Sequence, residues 1–157
     1  MLRISKPDYD LIRWEAERSY PHECCGILLG SLHQQERVVT LTVPCENART
    51  DAPGNRYSIP PGQVIAALKL ARSRAEIIIG FYHSHPDHPA KCSVTDLEEA
   101  HWFDCSYVIT SVEHGRAAAT HSFVLTGSEE EKRFQAEEIE VEAYRSAIAH
   151  RPLNTYI

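Results

Sequence analysis

The ten residues Glu76–His85, EIIIGFYHSH, decide how this chain is read. The isoleucine run followed by glycine, phenylalanine and tyrosine has the β-branched, nearly continuous apolar character of a central strand covered on both faces. It ends in two histidines separated by one residue. Residues two apart in a strand point to the same face, so His83 and His85 can reach one ion. Pro86 stops the strand directly behind them.

Toward the C-terminus, the polar loop PDHPAKC leads to Ser93, which begins a short helix expected to run to Trp102. Ser106–Val112 and Arg116–Thr126 read as two strands of a hairpin. The Glu-rich stretch that follows is expected to form a C-terminal helix from Glu129 to His150, its acidic start favoured by the helix dipole. Toward the N-terminus, Pro61 opens a helix to Ser73 in which Val64, Leu68 and Ala71 share a face. Pro44–Pro61 is rich in turn-forming residues and reads as a long surface loop with at most one short strand, over Arg56–Ile59. CCGILLGS (Cys24–Ser31) reads as a buried strand, and ERVVTLTV (Glu36–Val43) as its antiparallel partner across a hairpin loop at Leu32–Gln35. A first helix spans Pro7–Arg18 with Tyr9, Ile12 and Ala16 on one face, and Trp14 and Trp102 are expected to pack helices onto the sheet. This order of elements gives an α/β fold: a single domain over residues 1–157, a curved mixed sheet flanked by helices.

Bulk properties exclude several functional classes. Hydrophobic residues make up 43% and charged residues 24% of the 157, ordinary usage that argues against disorder. No apolar run approaches the roughly 20 residues of a membrane span, and the N-terminus lacks the apolar core of a secretory signal. Sixteen Lys and Arg against twenty-two Asp and Glu give a net charge of −6, no footprint for a nucleic-acid binder. Five cysteines without framework spacing fit reduced thiols, and the expected compartment is the cytoplasm. A homodimer through the C-terminal helix or an exposed strand edge stays open.

The chemistry gathers around the histidines. The helix beginning Ser93-Val94-Thr95-Asp96 can swing the Asp96 carboxylate back toward them. Two imidazoles and a carboxylate leave zinc one open position, the arrangement of a catalytic site, where a bound water is acidified toward a pKa of about 7. The attack needs a proton acceptor outside the ligand set. Glu23, at the start of CCGILLGS, is the candidate, chosen over Glu15, Glu17 and Glu46 by position alone. Ser93 is placed to donate its hydroxyl to the oxyanion. Taken singly these features are ordinary: a His-x-His is common at strand ends, and Ser93-x-x-Asp96 is a capping box in which cap and ligand compete for one carboxylate. The remaining histidines receive no role, and the paired Cys24-Cys25 point to opposite faces as packing residues.

Glu23, then His83-Ser84-His85-Pro86, then Ser93-Val94-Thr95-Asp96 resembles the signature of the JAMM (MPN-plus) zinc metalloproteases. Asn47-Ala48, Arg56-Tyr57-Ser58-Ile59 and Gly80-Phe81-Tyr82 resemble the small stand-alone bacterial members of that family. The resemblance implies a cytidine-deaminase-like fold, zinc held by His83, His85 and Asp96, Glu23 and Ser93 in catalysis, and attack of a metal-bound water. The bond implied is the amide at the C-terminal Gly-Gly tail of a ubiquitin-like or sulfur-carrier protein, which would dock as an added strand.

A zinc deaminase is excluded, since His-x-Glu and Pro-Cys-x-x-Cys are both absent. A non-catalytic scaffold of the same fold and a phage-tail or cell-wall peptidase with the same motif stay open beside the peptidase reading. One departure from the family stands beside the site: Cys92 replaces the proline that usually precedes the serine. Cys92→Ala is expected to leave the zinc content of the purified protein unchanged in elemental analysis; a gain in activity with altered metal coordination marks Cys92 as a resting-state ligand instead.

Overall fold

The structure, a computed structural model, describes residues 1–49 and 56–144. Its elements are β1 (Leu2–Ser5), α1 (Lys6–Ser19), β2 (Cys25–His33), β3 (Glu36–Cys45), α2 (Pro61–Ser73), β4 (Ile77–Pro86), α3 (Val94–Glu99), β5 (Ser106–Glu113), β6 (Arg116–Thr126), β7 (Arg133–Glu137) and β8 (Ile139–Glu142). The strands form one mixed sheet in the order β7-β6-β5-β4-β2-β3-β1-β8. The apolar strand β4 lies at its centre, antiparallel to β2 and parallel to β5, and is buried from Ile78 to Pro86.

β7 and β8 are separated only by Glu138, yet they pair with opposite ends of the strand order, β7 with β6 and β8 with β1. Consecutive Cα atoms are about 3.8 Å apart, so the two ends of the sheet must meet. The sheet is therefore rolled, as its expected curvature requires. Arg37 of β3 fastens the seam, donating to the Asp104 carbonyl (2.8 Å) and pairing with Glu137 (3.0 Å).

Helix α1 lies against strands from both halves of the roll, among them β1, β3, β5 and β6. It is capped by Ser5, whose hydroxyl accepts from the Asp8 N–H (3.2 Å). Ile12 and Ala16 join Leu2, Ile4, Leu28, Val39, Tyr82 and Val108 in one core, with Tyr9 packed against it. The opposite face of β4 and β2 builds a second core from Ile27, Leu29, Ile78, Phe81 and Tyr107 with Ala67 and Ala71 of α2.

Several expectations are corrected. The Glu129–His150 helix does not form over the described part of that stretch, which holds β7 and β8; residues 145–150 lie outside the described residues. Phe134 packs edge-on to Tyr107 at 5.1 Å, and Glu137 accepts from Ser106 and Ser122 at 2.7 and 2.8 Å. These partners, distant in sequence, outweigh the helix propensity of glutamates. The helical route to a dimer loses its basis over those residues. α3 ends at Glu99 rather than Trp102; Arg56–Ile59 is irregular, within the expectation of at most one short strand there, and residues 50–55 of that expected loop lie outside the described residues. Trp14 faces solvent at 53% exposure with the Arg18 guanidinium 5.1 Å over its ring, and Leu68 is exposed while Ala67 and Ala71 face the sheet. Trp102 is also partly exposed, its ring 5.3 Å from Phe81. The short strand β1 is not foreseen because Leu2–Ser5 runs directly into α1. No helix among the described residues is long and apolar enough to cross a membrane.

Gly26 on β2 faces the buried Tyr82 ring, where an added Cβ would stand 2.3 Å from Tyr82 Cε1. Gly26→Ala is expected to lower stability by about 1–3 kcal/mol, read from the urea midpoint. Gly62→Ala, with nothing within 4 Å of the new Cβ, is expected to leave it unchanged or raise it by up to about 1 kcal/mol.

Candidate metal centre

The β2–β4 pairing sets Cys25 opposite His83. Just beyond that register the strands are laced by Ser84, whose N–H donates to the Cys24 carbonyl (3.2 Å) and whose hydroxyl accepts from the Cys24 N–H (2.9 Å). Glu23, the residue before this junction, is thereby delivered to the end of β4 that carries the histidines. Glu15, Glu17 and Glu46 are engaged elsewhere or open to solvent: Glu17 accepts from the Ala117 N–H, Glu15 lies beside Arg18, and Glu46 is exposed.

His83 and His85 turn their Nε2 atoms toward each other at 3.0 Å. Asp96 completes the group, Oδ1 lying 3.1 Å from His83 Nε2 and Oδ2 3.4 Å from His85 Nε2. A tetrahedral zinc with bonds of about 2.0–2.1 Å has ligand atoms about 3.3–3.4 Å apart, so this triangle has the size of one face of the zinc tetrahedron. Among the described residues, His83, His85 and Asp96 are the one group of three or more His, Cys, Asp or Glu side chains with this convergence.

The surroundings fix which atoms face inward. A carbonyl oxygen only accepts, so His85 Nδ1 carries the proton that bonds the Pro89 carbonyl at 2.8 Å, and Nε2 is the ring nitrogen turned to Asp96. The His83 ring is buried and stacks on Tyr57, centroids 4.5 Å apart and planes 23° from parallel. Capping and approach to the histidines do not compete for Asp96 in this geometry, because its carboxylate makes both sets of contacts. Oδ2 accepts from the Ser93 N–H (2.6 Å) and hydroxyl (2.7 Å), while the Ser93 hydroxyl accepts from the Asp96 N–H (3.0 Å). The capping box turns Oδ1 to His83 without losing the helix start. In this arrangement the proton of the Ser93 hydroxyl is committed to Asp96.

Burial lowers the His83 pKa and keeps the ring neutral, as a metal ligand must be. At His85 burial acts the same way, but the bonds to Asp96 and the Pro89 carbonyl outweigh it and the net shift is upward. Burial would raise Asp96, yet the bonds from His83, His85 and Ser93 hold it far below the usual carboxylate range. Burial pushes the Glu23 carboxyl up to about 8, against the pull of His85 and with the push of Asp96. Glu23 Oε2 is buried with no hydrogen-bond partner among the described residues. Burial also raises the Cys92 thiol to about 12. His88 is exposed and His101 is turned outward to Glu129 at 3.2 Å. Tyr57 and Asn47, which shape the site, stand in the sequence only as context around the motif; nothing in their spacing announces a contact with His83.

A family model for the prokaryotic homologues of the JAB domain matches residues 5–137. The chain belongs to this family. Among relatives of this JAB-domain protein, the "Desampylase" of Haloferax volcanii is 35% identical over 99 residues, 63% of this chain and 68% of that protein. The "Probable TtuB-protein conjugate cleaving protease" of Thermus thermophilus is 32% identical over 100 residues, 64% of this chain and 63% of that protein. Among solved structures, a Desulfitobacterium hafniense protein superposes with a TM-score of 0.79 at 26% identity, covering 93% of this chain and 96% of the other. A Salinibacter ruber protein does so with a TM-score of 0.68 at 35% identity, covering 90% and 91%.

The raised Glu23 pKa has a thermodynamic sign. From the ordinary 4.5 to about 8 the folded state holds a proton there that the unfolded chain has released, so stability is full below that window and falls as pH rises through it. In metal-free protein the urea midpoint of the wild type is expected to fall between about pH 5 and pH 8 relative to Glu23→Gln. Parallel curves would show that Glu23 titrates as an ordinary carboxylate.

Proposed function

We propose that this JAB-domain protein is a zinc-dependent peptidase or isopeptidase of the cytoplasm. In this reading it is one domain of cytidine-deaminase-like fold. It hydrolyses the amide at the C-terminal Gly-Gly tail of a ubiquitin-like or sulfur-carrier protein. The observation that carries the reading is the triangle of His83 Nε2, His85 Nε2 and an Asp96 oxygen with edges of 3.0–3.4 Å. The names of the two relatives, a desampylase and a conjugate-cleaving protease, point to the same bond class.

His83, His85 and Asp96 hold the zinc, which when bound supplies a Lewis acid to polarise the scissile carbonyl and acidify a water. Glu23 takes the proton released as water attacks and passes it to the departing amine. The buried Glu23 Oε2 has no hydrogen-bond partner among the described residues, so this oxygen is open to accept that proton. Ser93 orients Asp96 through two bonds; its hydroxyl turns from Asp96 to the oxyanion as negative charge develops on the carbonyl oxygen.

Wild type, Glu23→Gln and His85→Ala are to be compared for zinc content and for cleavage of a sulfur-carrier protein extended past its Gly-Gly end. The wild type is expected to carry zinc and cleave. Glu23→Gln should keep the zinc and lose about 10²–10⁴ in rate, and His85→Ala should lose both. A wild type without zinc and without cleavage would make this a binding scaffold. Zinc without cleavage would assign a different substrate.

A further inference from the structure

The loop between β3 and α2 is pinned by one side chain. Asn47 stands just after β3, and all four hydrogen-bonding positions of its carboxamide are used. Nδ2 donates to the carbonyls of Glu23 (3.3 Å) and Arg56 (3.1 Å), and Oδ1 accepts from the N–H groups of Arg49 (3.1 Å) and Ser58 (3.0 Å). A reversed amide would set Nδ2 against two N–H groups and Oδ1 against two carbonyls, so the partners fix its orientation. A backbone bond from the Ala48 N–H to the Ser58 carbonyl (2.8 Å) closes the loop beside it.

Two of these partners lie one residue either side of Tyr57, whose ring stacks on His83. A third is the backbone of Glu23. The same amide therefore reaches the residue that supplies the buried carboxyl and the segment that covers the first histidine. His83 has need of such a contact: its Nδ1 is buried and has no hydrogen-bond partner among the described residues, whereas His85 is oriented by the Pro89 carbonyl. A ring held by hydrogen bonding on one side is normally fixed by that bond. His83 is held at Nε2 by Asp96 and His85, and on its face by Tyr57.

We infer that Asn47 is a positioning residue that holds Tyr57 against the His83 ring and anchors the backbone of Glu23, so that ligand and base keep their relative placement. This rests on the peptidase reading for its consequence in catalysis, but the placement itself is a property of the metal-free protein.

The test therefore begins without metal. In metal-free wild type the ring protons of His83 are expected to be shifted upfield in NMR spectra by the stacked Tyr57. That shift should persist in Tyr57→Phe, which keeps the aromatic face, and disappear in Tyr57→Leu and Asn47→Ala. Zinc affinity, measured by competition with a chromophoric chelator, should follow the same order. Tyr57→Phe should match the wild type, and the other two should bind about 10–100-fold more weakly. A merely structural role would lower thermal stability while leaving the His83 shift and the zinc affinity of the folded protein unchanged, and that result overturns the proposal. Should Asn47→Ala not fold, the partly exposed Tyr57 pair decides: equal zinc affinity in Tyr57→Leu and Tyr57→Phe overturns it. A wild type that shows the shift but neither binds zinc nor cleaves defeats the peptidase reading and leaves the Asn47 contact standing.

Discussion

The antiparallel pairing of β2 with β4 is the constraint on which the site depends. It sets Cys25 opposite His83, and the Ser84–Cys24 bonds lock the register at the place where a slip would matter most. A displacement by one residue would turn both histidines to the face occupied by Tyr82 and α1. The bulge between Leu28 and Leu29 lies farther down the pair, so its irregularity is absorbed in the core and does not reach the metal-binding end.

α3 brings Asp96 to the histidines by a different means. It is only six residues long with no fully buried residue, and Leu97 packs against the second core. Its first turn is set by the reciprocal bonds between Ser93 and Asp96 and by the two imidazoles. The carboxylate that closes the capping box is the one that faces the histidines, so forming the helix start also places Asp96. A carboxylate already ordered by its cap costs less entropy to place than one on a free loop.

The convergence of His83, His85 and Asp96 is legible in the sequence because strand alternation and a helix start are local rules. What could not be read was whatever depended on partners far along the chain. The stretch after Glu129 has helix-forming composition, and only the pairing with β6 and β1, the bonds of Glu137 and the packing of Phe134 make it two strands. Trp14 failed for a related reason: size and apolarity favour burial, but the inward face of α1 was already filled by Ile12 and Ala16. Asn47 is a surface-type residue whose four bonds join segments that only the folded loop brings together.

The strand pair β7–β8 has a consequence for how the protein is made. β8 completes the roll by pairing with β1, and residues 2–5 meet residues 139–142. During synthesis the chain emerges from the N-terminus, so β1 waits with an unsatisfied edge until nearly the whole described sequence has left the ribosome. Arg3, which pairs with Glu142 and lies near Glu140 and Glu36, gives that waiting edge a charge. A charged side chain on an open edge discourages association with other chains until the last strand arrives.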